Sequence, residues 1–519
     1  MIPRVLLKEG REKSLRQRHP WVFSGAVAQV EGAAVNGGIV DLCAADGAFL
    51  ARACWNSNSQ IVARVCSWLP EPIDCAFFTR RIAESAARRA GLSRGGASAR
   101  MTSPPPPNPP EGARGTGSLL TPGVAECAGE TGDGVSATRN APADSATLRL
   151  NVNRGSATLQ RGLRGGGEVI LANGIPPTSA FRVVNGEADL LPGLIVDRYG
   201  EFLVLQVLTL AMAQRLPELV EIFVELFQPR GIWQRSDVEI RRKEGLEPET
   251  GLLYGEEPPP LLEICENGVR LLVDLRGGQK TGFFLDQRDN RRIVGEFLKN
   301  YELRITNGES ESPLFTGTSP VVGGADAVPF DIRNSQFAIP PRPLELLNAF
   351  SYSAGFGVYA AHAVPGCRVT NLDASAGALA LAKANAELNG VPEGQWEYLE
   401  GDAFKVLRTF RDSRRTFDAI VLDPPKFAQS KSQVEGACRG YKDLNLLAIK
   451  MLRPGGLLFT FSCSGGVSPE LFQKVVAGAA ADAGRAAQVL AHLGPGSDHP
   501  VLLSFPEGEY LKGLVIRCL

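Results

Sequence analysis

The chain has 519 residues, enough for two to four domains at about 150 residues each. Its 44% hydrophobic content is that of an ordinary globular protein. No apolar run reaches the ~18 residues of a membrane-spanning helix, and the start, MIPRVLLKEGREK, lacks the apolar stretch of a secretory signal.

Lysine and arginine (55) nearly cancel aspartate and glutamate (56), so whole-chain charge argues neither for nor against nucleic acid; local distribution decides. Ten cysteines form no CxxC, and the four histidines lie far from any cysteine pair, so no zinc site is expected. Scattered reduced thiols fit a cytosol-like compartment.

Residues 1–75 alternate short β-type runs with turns, "GGIVDLCAADGAFLARACWN" and then "QIVARVCSW", and predict a small β-barrel. Lys8, Arg11, Lys13, Arg16, Arg18 and His19 precede Trp21. Basic residues interleaved with an aromatic suit phosphate contact and base stacking. Lys8, Arg11 and Arg16 are the candidate RNA contacts, whereas Trp21 reads as core. Residues 91–167 contain "SPPPPNPPEGARGTGS" and no aromatic residue. Such a segment buries too little apolar surface to offset its ordering entropy, and it reads as a disordered insertion.

Residues 168–265 mix a strand signal, "FLVLQVLTL", with an amphipathic helix, "RLPELVEIFVELF", and predict an α+β domain. Residues 300–342, with "NGESESPLFTGTSPVVGGADA", read as a second insertion. Residues 343–519 alternate strand and helix signals from "PLELLNAF" to "GLLFTFSC". That rhythm predicts an α/β domain with a mostly parallel sheet and ligands at the strands' carboxyl ends.

Those ends carry the chemistry. After "PLELLNAF" come Ser351, Tyr352, Ser353, Ala354 and Gly355, then a helix whose amides face a ligand. The turn is not GxGxxG, so a nicotinamide site is not indicated. The next strand ends at Asp373, positioned for ribose hydroxyls. A third ends at Asp402, positioned for an adenine amino group, and a fourth at Asp423, followed by Pro424, Pro425, Lys426 and Phe427. In this order the set resembles a class I S-adenosylmethionine-dependent methyltransferase of Rossmann-like fold. The candidate cofactor residues are Ser351, Tyr352, Gly355, Phe356, Asp373, Ser375, Asp402 and Asp423. Lys426 stands where amino-directed enzymes carry an aromatic, which argues against chemistry on an exocyclic nitrogen.

In "GGLLFTFSCSGG" a strand opens into a turn at Cys463. C5 of cytosine is a poor nucleophile. A thiolate adding to C6 makes an enamine whose C5 can take a methyl group, after which a base removes the C5 proton and the thiolate leaves. This calls for a thiol near the methyl donor in a setting that favours thiolate. Cys463 is the candidate nucleophile, and Asp423 is the catalytic partner at the cytosine N3/N4 edge. Cys438 is the weaker rival, since no strand delivers it.

"LNAFSYSAGFGVYAAHA", "FDAIVLDPPKFAQSK", "GYKDLNLLAIKMLRPGGLLFTFSCSG" and "DHPVLLSFPEGEYLKGLVIR" resemble the bacterial large-subunit rRNA cytosine-5 methyltransferases that carry an N-terminal PUA domain. "LKEGREKSLRQRHPWVFSGAV" is similar to the start of that PUA domain, and "FRVVNGEADLLPGLIVDRYGEFLVLQ" to the family's central α+β domain. "GGQKTGFFLDQRDNRR" is similar to its β-hairpin leading into the catalytic domain, placed at 266–299. The resemblance implies S-adenosylmethionine as cofactor, with Gln287 at its pocket, and Cys463 as nucleophile. It places Lys280 and Arg288 on a hairpin that borders the cofactor pocket, and implies large-subunit rRNA as partner and a homodimer; Lys280, Arg288 and Lys426 are further candidate RNA contacts. The expected location is the cytoplasm, or an organelle in a eukaryote. Ala354 replaces a glycine usual in the family's cofactor turn. Two alternatives stay open: methylation of another rRNA atom, such as a guanine nitrogen, with Cys463 incidental, and a non-catalytic RNA-binding assembly factor.

Overall fold

The computed structural model of the chain describes residues 2–89, 178–306 and 342–519. The first stretch builds the expected β domain from β1 (Arg4–Leu7), β2 (Trp21–Phe23), β3 (Val27–Glu31), β4 (Ile39–Cys43), β5 (Phe49–Trp55) and β6 (Ile61–Ser67), with a single-turn helix, α1 (Lys13–Arg16), after β1. The strands form one sheet in the order β2-β6-β5-β4-β1-β3. Only β1 and β4 pair in parallel. Alternate residues turn inward, so Val5, Leu7, Val40, Leu42, Val62 and Val65 share a core.

Helix α2 (Cys75–Arg89) is an element the sequence reading left out. Its Phe77, Phe78 and Ile82 pack with Val183, Leu205 and Phe223 of the central domain. That domain is a five-stranded sheet in the order β11-β10-β9-β8-β7, from β7 (Ala180–Asn185), β8 (Leu194–Tyr199), β9 (Phe202–Val207), β10 (Gly231–Ser236) and β11 (Glu249–Gly255). Helices α3 (Leu210–Gln214) and α4 (Leu216–Phe227) lie between β9 and β10. The predicted strand and amphipathic helix are β9 and α4.

The hairpin falls earlier than expected. It is β12 (Leu262–Glu266) and β13 (Val269–Val273), joined by Asn267 and Gly268 at φ +50° and +83°. That two-residue Asn-Gly turn matches the twist of paired strands. "GGQKTGFFLDQR" is instead a loop with one bridge, Gln279 to Gly282, and a 3-10 turn at Leu285–Gln287. It runs into α5 (Arg288–Thr306), so residues 300–306 continue a helix rather than start an insertion. The expected insertion at 91–167, and residues 307–341 of the second, lie outside the described residues.

The last domain is a seven-stranded sheet in the order β16-β15-β14-β17-β18-β20-β19. Its strands are β14 (Glu345–Ala349), β15 (Arg368–Asp373), β16 (Trp396–Glu400), β17 (Phe417–Leu422), β18 (Leu452–Ser462), β19 (Ala487–Leu493) and β20 (Lys512–Cys518). The helices are α6 (Gly355–Ala363), α7 (Ala376–Leu388), α8 (Ala403–Asp412), α9 (Val434–Met451) and α10 (Pro469–Asp482). The first five strands are parallel, and β20 is antiparallel to both β18 and β19. The central strands feed two cores: Ala419 and Val421 of β17 pack on one face with Phe459 and Phe461, and Ile420 and Leu422 on the other with Leu444 and Leu458.

Strand order runs outward from β14 in one direction and from β17 in the other. The carboxyl ends of these two neighbours therefore form the switch point where an open α/β sheet leaves a crevice. Among the described residues no helix is long and apolar enough to cross a membrane.

Candidate active site

The turn after β14 places three non-glycine residues in the left-handed region: Phe350 (φ +60°), Tyr352 (φ +45°) and Ala354 (φ +59°). Each conformation costs roughly 1–2 kcal/mol for an L-residue. The turn persists because its neighbours over-determine it. Ser351 N donates to Leu372 O at 3.0 Å. Tyr352 N donates to Asp373 Oδ2 at 2.8 Å, and Ser375 N to Asp373 Oδ1 at 3.0 Å. The carboxylate ending β15 is thus oriented by two amides, and each oxygen keeps a free lone pair. Ser375 caps α7, accepting from Ala378 N.

Two predicted cofactor residues serve the core. Gly355 is needed because a Cβ there would sit 3.0 Å from Arg291 Cδ and 3.5 Å from Phe283. The Phe356 ring is 6% exposed and packs on Phe461 with centroids 5.5 Å apart. Any ligand contact by these two falls to backbone at the start of α6. Asp402 is exposed and caps α8, accepting from Lys405 N at 3.0 Å.

The strand end at β17 and the turn after β18 meet. Ser464 Oγ accepts from Phe427 N (3.2 Å) and Ala428 N (3.1 Å) and shares a hydrogen bond with Tyr441 Oη (2.9 Å). This pins the Asp423–Phe427 loop to the residue after Cys463. Cys463 Sγ lies 3.9 Å from Pro424 O, close enough for a weak S–H hydrogen bond. Phe427 is partly buried and packs on Tyr441 (4.7 Å) and Phe404 (6.1 Å), so its ring is engaged by the protein.

Both groups are perturbed in the same direction. Burial, with Asp286 close by, pushes the Asp423 carboxyl up to about 7, against Lys280 and a hydrogen bond from Gln287. Burial, with Asp423 beside it, pushes the Cys463 thiol up to about 11, although Lys280 and Lys426 pull the other way. The expected thiolate-favouring setting is therefore corrected: the resting form is the thiol, because Cys463 is partly buried and the Asp423 carboxyl opposes a charge on it. Cys438 stands apart, packed against the core on the far face of the sheet.

The 274–287 loop closes the crevice. Tyr352 Oη accepts from Gln279 N (3.1 Å) and donates to Gly282 O (3.2 Å), and Phe284 meets the Tyr352 ring edge-on at 5.5 Å. Lys280 Nζ and Tyr510 Oη both donate to Asp286 Oδ2 at 2.6 Å. Asp286 is 2% exposed. Burial pushes its carboxyl up, but Lys280, His499 and Tyr510 hold it on balance well below the usual carboxylate range. Gln287 is buried between Asp423 and Asn290, whose Nδ2 donates to Gln287 Oε1 at 2.6 Å.

One RNA expectation is overturned. Arg288 is fully buried, its guanidinium donating to both Asp498 oxygens at 2.9 Å, so it holds the fold and cannot meet RNA. Lys280 is 37% exposed but tied to Asp286. Lys426 is exposed, as are Lys8, Arg11 and Arg16. Arg11, Lys13, Gln17, Trp21 and Phe23 line a cavity of about 590 Å³ on the N-terminal domain. Trp21 is half-buried, donating to Glu187 at 2.9 Å and meeting Phe505 edge-on at 4.6 Å.

Sequence reading missed Ser464, Tyr441, Tyr510 and Lys512. "EYLKG" lies in a segment that carries the family resemblance but names no role for Tyr510 or Lys512; the pairing of β20 with β18 puts it beneath the cysteine turn.

The residues fit S-adenosylmethionine. Besides the oriented Asp373 carboxylate, Ser351 Oγ and Asp286 Oδ1 are buried polar atoms with no partner among the described residues. Both keep hydrogen-bonding capacity that a ligand or an ordered water can use.

Comparison with known proteins agrees. Residues 5–68 match the PUA-like domain family, and residues 341–486 the S-adenosylmethionine-dependent methyltransferase family. Over the full length of both chains, the sequence is 38% identical to ribosomal RNA large subunit methyltransferase I of Cronobacter sakazakii and 39% identical to that of Shewanella amazonensis. A Streptococcus mutans structure described as a SAM-dependent methyltransferase aligns over all of both chains at 19% identity and a TM-score of 0.64. A second methyltransferase structure, complexed with SAH, aligns equally completely at 19% identity and 0.65. These two share the fold.

Proposed function

The chain belongs to the ribosomal RNA large subunit methyltransferase I family, an S-adenosylmethionine-dependent group, and from that premise we propose that it forms 5-methylcytosine in large-subunit rRNA with Cys463 as nucleophile. The observation that carries this reading is the thiol's place: Cys463 Sγ sits 3.9 Å from the carbonyl of Pro424, on the loop at the sheet's switch point.

Ser351, Tyr352, Asp373 and Ser375 would hold the cofactor's ribose side, with Asp402 at the adenine side. When bound, S-adenosylmethionine supplies an electrophilic methyl group. Cys463 gives up its proton to a base and its sulfur bonds to C6 of the cytosine, which makes C5 electron-rich; C5 takes the methyl group, a base then removes the C5 proton, and the sulfur leaves as the C5–C6 double bond reforms. Asp423, titrating near 7, can hold a proton toward N3 and stabilise charge on the ring. The exposed Lys8, Arg11, Arg16 and Lys426 supply cations for RNA phosphates. A homodimer remains the family-based expectation for assembly.

The alternative on an exocyclic nitrogen is disfavoured by Phe427, the aromatic nearest the DPP motif, whose ring packs on Tyr441 and Phe404. Cys463→Ala tests the reading. The expected result is loss of methyl transfer with cofactor affinity kept, and loss of the covalent adduct with 5-fluorocytosine RNA. Retained transfer would refute it.

A further inference from the structure

The turn that carries Cys463 rests on a buried cation. Lys512 opens β20, with its Cα paired to Ser462, the last residue of β18. It is 4% exposed. Its ammonium donates to Ser464 O at 2.8 Å and Val467 O at 2.6 Å, the two ends of the turn that follows the cysteine. A lysine is rarely buried this far without a carboxylate, and a methionine or leucine would fill the same strand position without the cost of desolvating a charge.

The setting supplies a reason for the cation. Groups from every side act on the Cys463 sulfur: Asp423 and Lys426 from the loop after β17, Lys280 and Asp286 from the 274–287 loop, Tyr441 from α9 and Lys512 from β20. The carboxylates oppose a thiolate. Of the three cations, Lys426 is exposed and Lys280 is half-exposed and already paired with Asp286. Solvent and salt screen such charges, and screen a buried one far less.

We propose that Lys512 is a positioning residue for Cys463: it clamps the Ser464–Val467 turn so that the sulfur stays at the Asp423–Lys426 loop, and its charge favours the thiolate. Burial draws the Lys512 ammonium down to about 8, with Cys463 and Glu509 pulling it back up, so it keeps its proton at neutral pH. This rests on Cys463 as the nucleophile, and its test is independent of methyl transfer.

The measurement is the rate of alkylation of Cys463 by iodoacetamide in the full chain, followed by peptide mass spectrometry from pH 7 to 10. A nearby cation shifts a thiol by about one pK unit, which is about tenfold in thiolate. Lys512→Met should slow alkylation about tenfold below pH 8, and the gap should close at higher pH, where the wild-type lysine loses its own proton. Lys512→Arg should recover most of the rate. Thermal melts and cofactor titration check that each variant is folded. If Lys512→Met does not fold, Lys512→Gln takes its place, since it keeps a donor without the charge. Wild-type alkylation at every pH in a folded, uncharged variant would overturn the proposal. Retained transfer in Cys463→Ala would instead overturn the nucleophile assignment and leave the alkylation result standing.

Discussion

Replacing Arg288 with methionine tests whether this residue is structural. Arg288 is fully buried and donates to both oxygens of Asp498 at 2.9 Å. Asp498 Oδ2 also accepts from Arg182 N at 2.7 Å, its carbonyl from Arg89 at 3.0 Å, and His499 Nδ1 lies 3.0 Å from Oδ1. Asp498 thus ties α2, β7 and α5 to the loop that ends at Lys512. Arg288→Met strips that buried carboxylate of its arginine partner and leaves it only Arg182 N and His499; breaking a buried pair in this way costs about 3–5 kcal/mol at most. With a urea slope near ~3 kcal/mol/M for a domain of this size, the midpoint should fall by about 1 M.

The pH dependence identifies the cause. Burial pushes Asp498 up, but His499 and Arg288 hold it well below the usual range. A carboxyl lowered in this way contributes stability above its unfolded value of about 3.9 and loses it as pH falls through the folded value. In the variant the same carboxyl is held down less, by His499 without Arg288, so the difference between the two proteins narrows as pH falls through the unfolded value. Urea titrations should therefore show a large gap between wild type and Arg288→Met at pH 7.5 and a smaller one near pH ~3.5. Arg288→Met/Asp498→Asn should recover part of the loss at pH 7.5. An unchanged midpoint for Arg288→Met, with weaker RNA binding, would refute this reasoning and restore Arg288 as an RNA contact.

Asp423→Asn should lose methyl transfer yet gain stability in alkaline solution. The carboxyl titrates near 7 in the fold and near ~3.9 unfolded, so its stabilising contribution is complete below the lower value and is lost as pH rises through the higher one. Melts of wild type and variant should agree near pH 4 and separate at pH 8, with the variant higher. Ala354→Gly relieves a left-handed alanine at φ +59° and should stabilise the chain by about 1 kcal/mol without weakening cofactor binding; a lower melting temperature would contradict it. Ser464→Ala strands the buried amides of Phe427 and Ala428, at about 1–3 kcal/mol each. Titration calorimetry should find cofactor affinity kept while transfer rates fall, because the loop beside Cys463 is freed; an unchanged rate would count against Ser464 as its anchor.

Strand periodicity, turn chemistry and acidic strand ends are local properties. For that reason the α/β rhythm of residues 343–519, the Asp373 and Asp423 positions and the rim placement of Cys463 are legible in the sequence itself. The Asn267–Gly268 turn is a weaker local signal than the charged run at 277–292, and helix α2 has a short apolar face flanked by arginines, so neither element stands out in the sequence. Other facts belong to the tertiary structure. Arg288 and Lys280 carry the same sign in one short run, yet one is sealed against Asp498 and the other lies half-exposed over the Phe284 and Tyr510 rings. The thiol's resting protonation, the anchoring by Ser464 and the cation beneath the cysteine turn all arise where segments distant in sequence converge. Burial and proximity set charge, and neither is encoded in the spacing of residues along the chain.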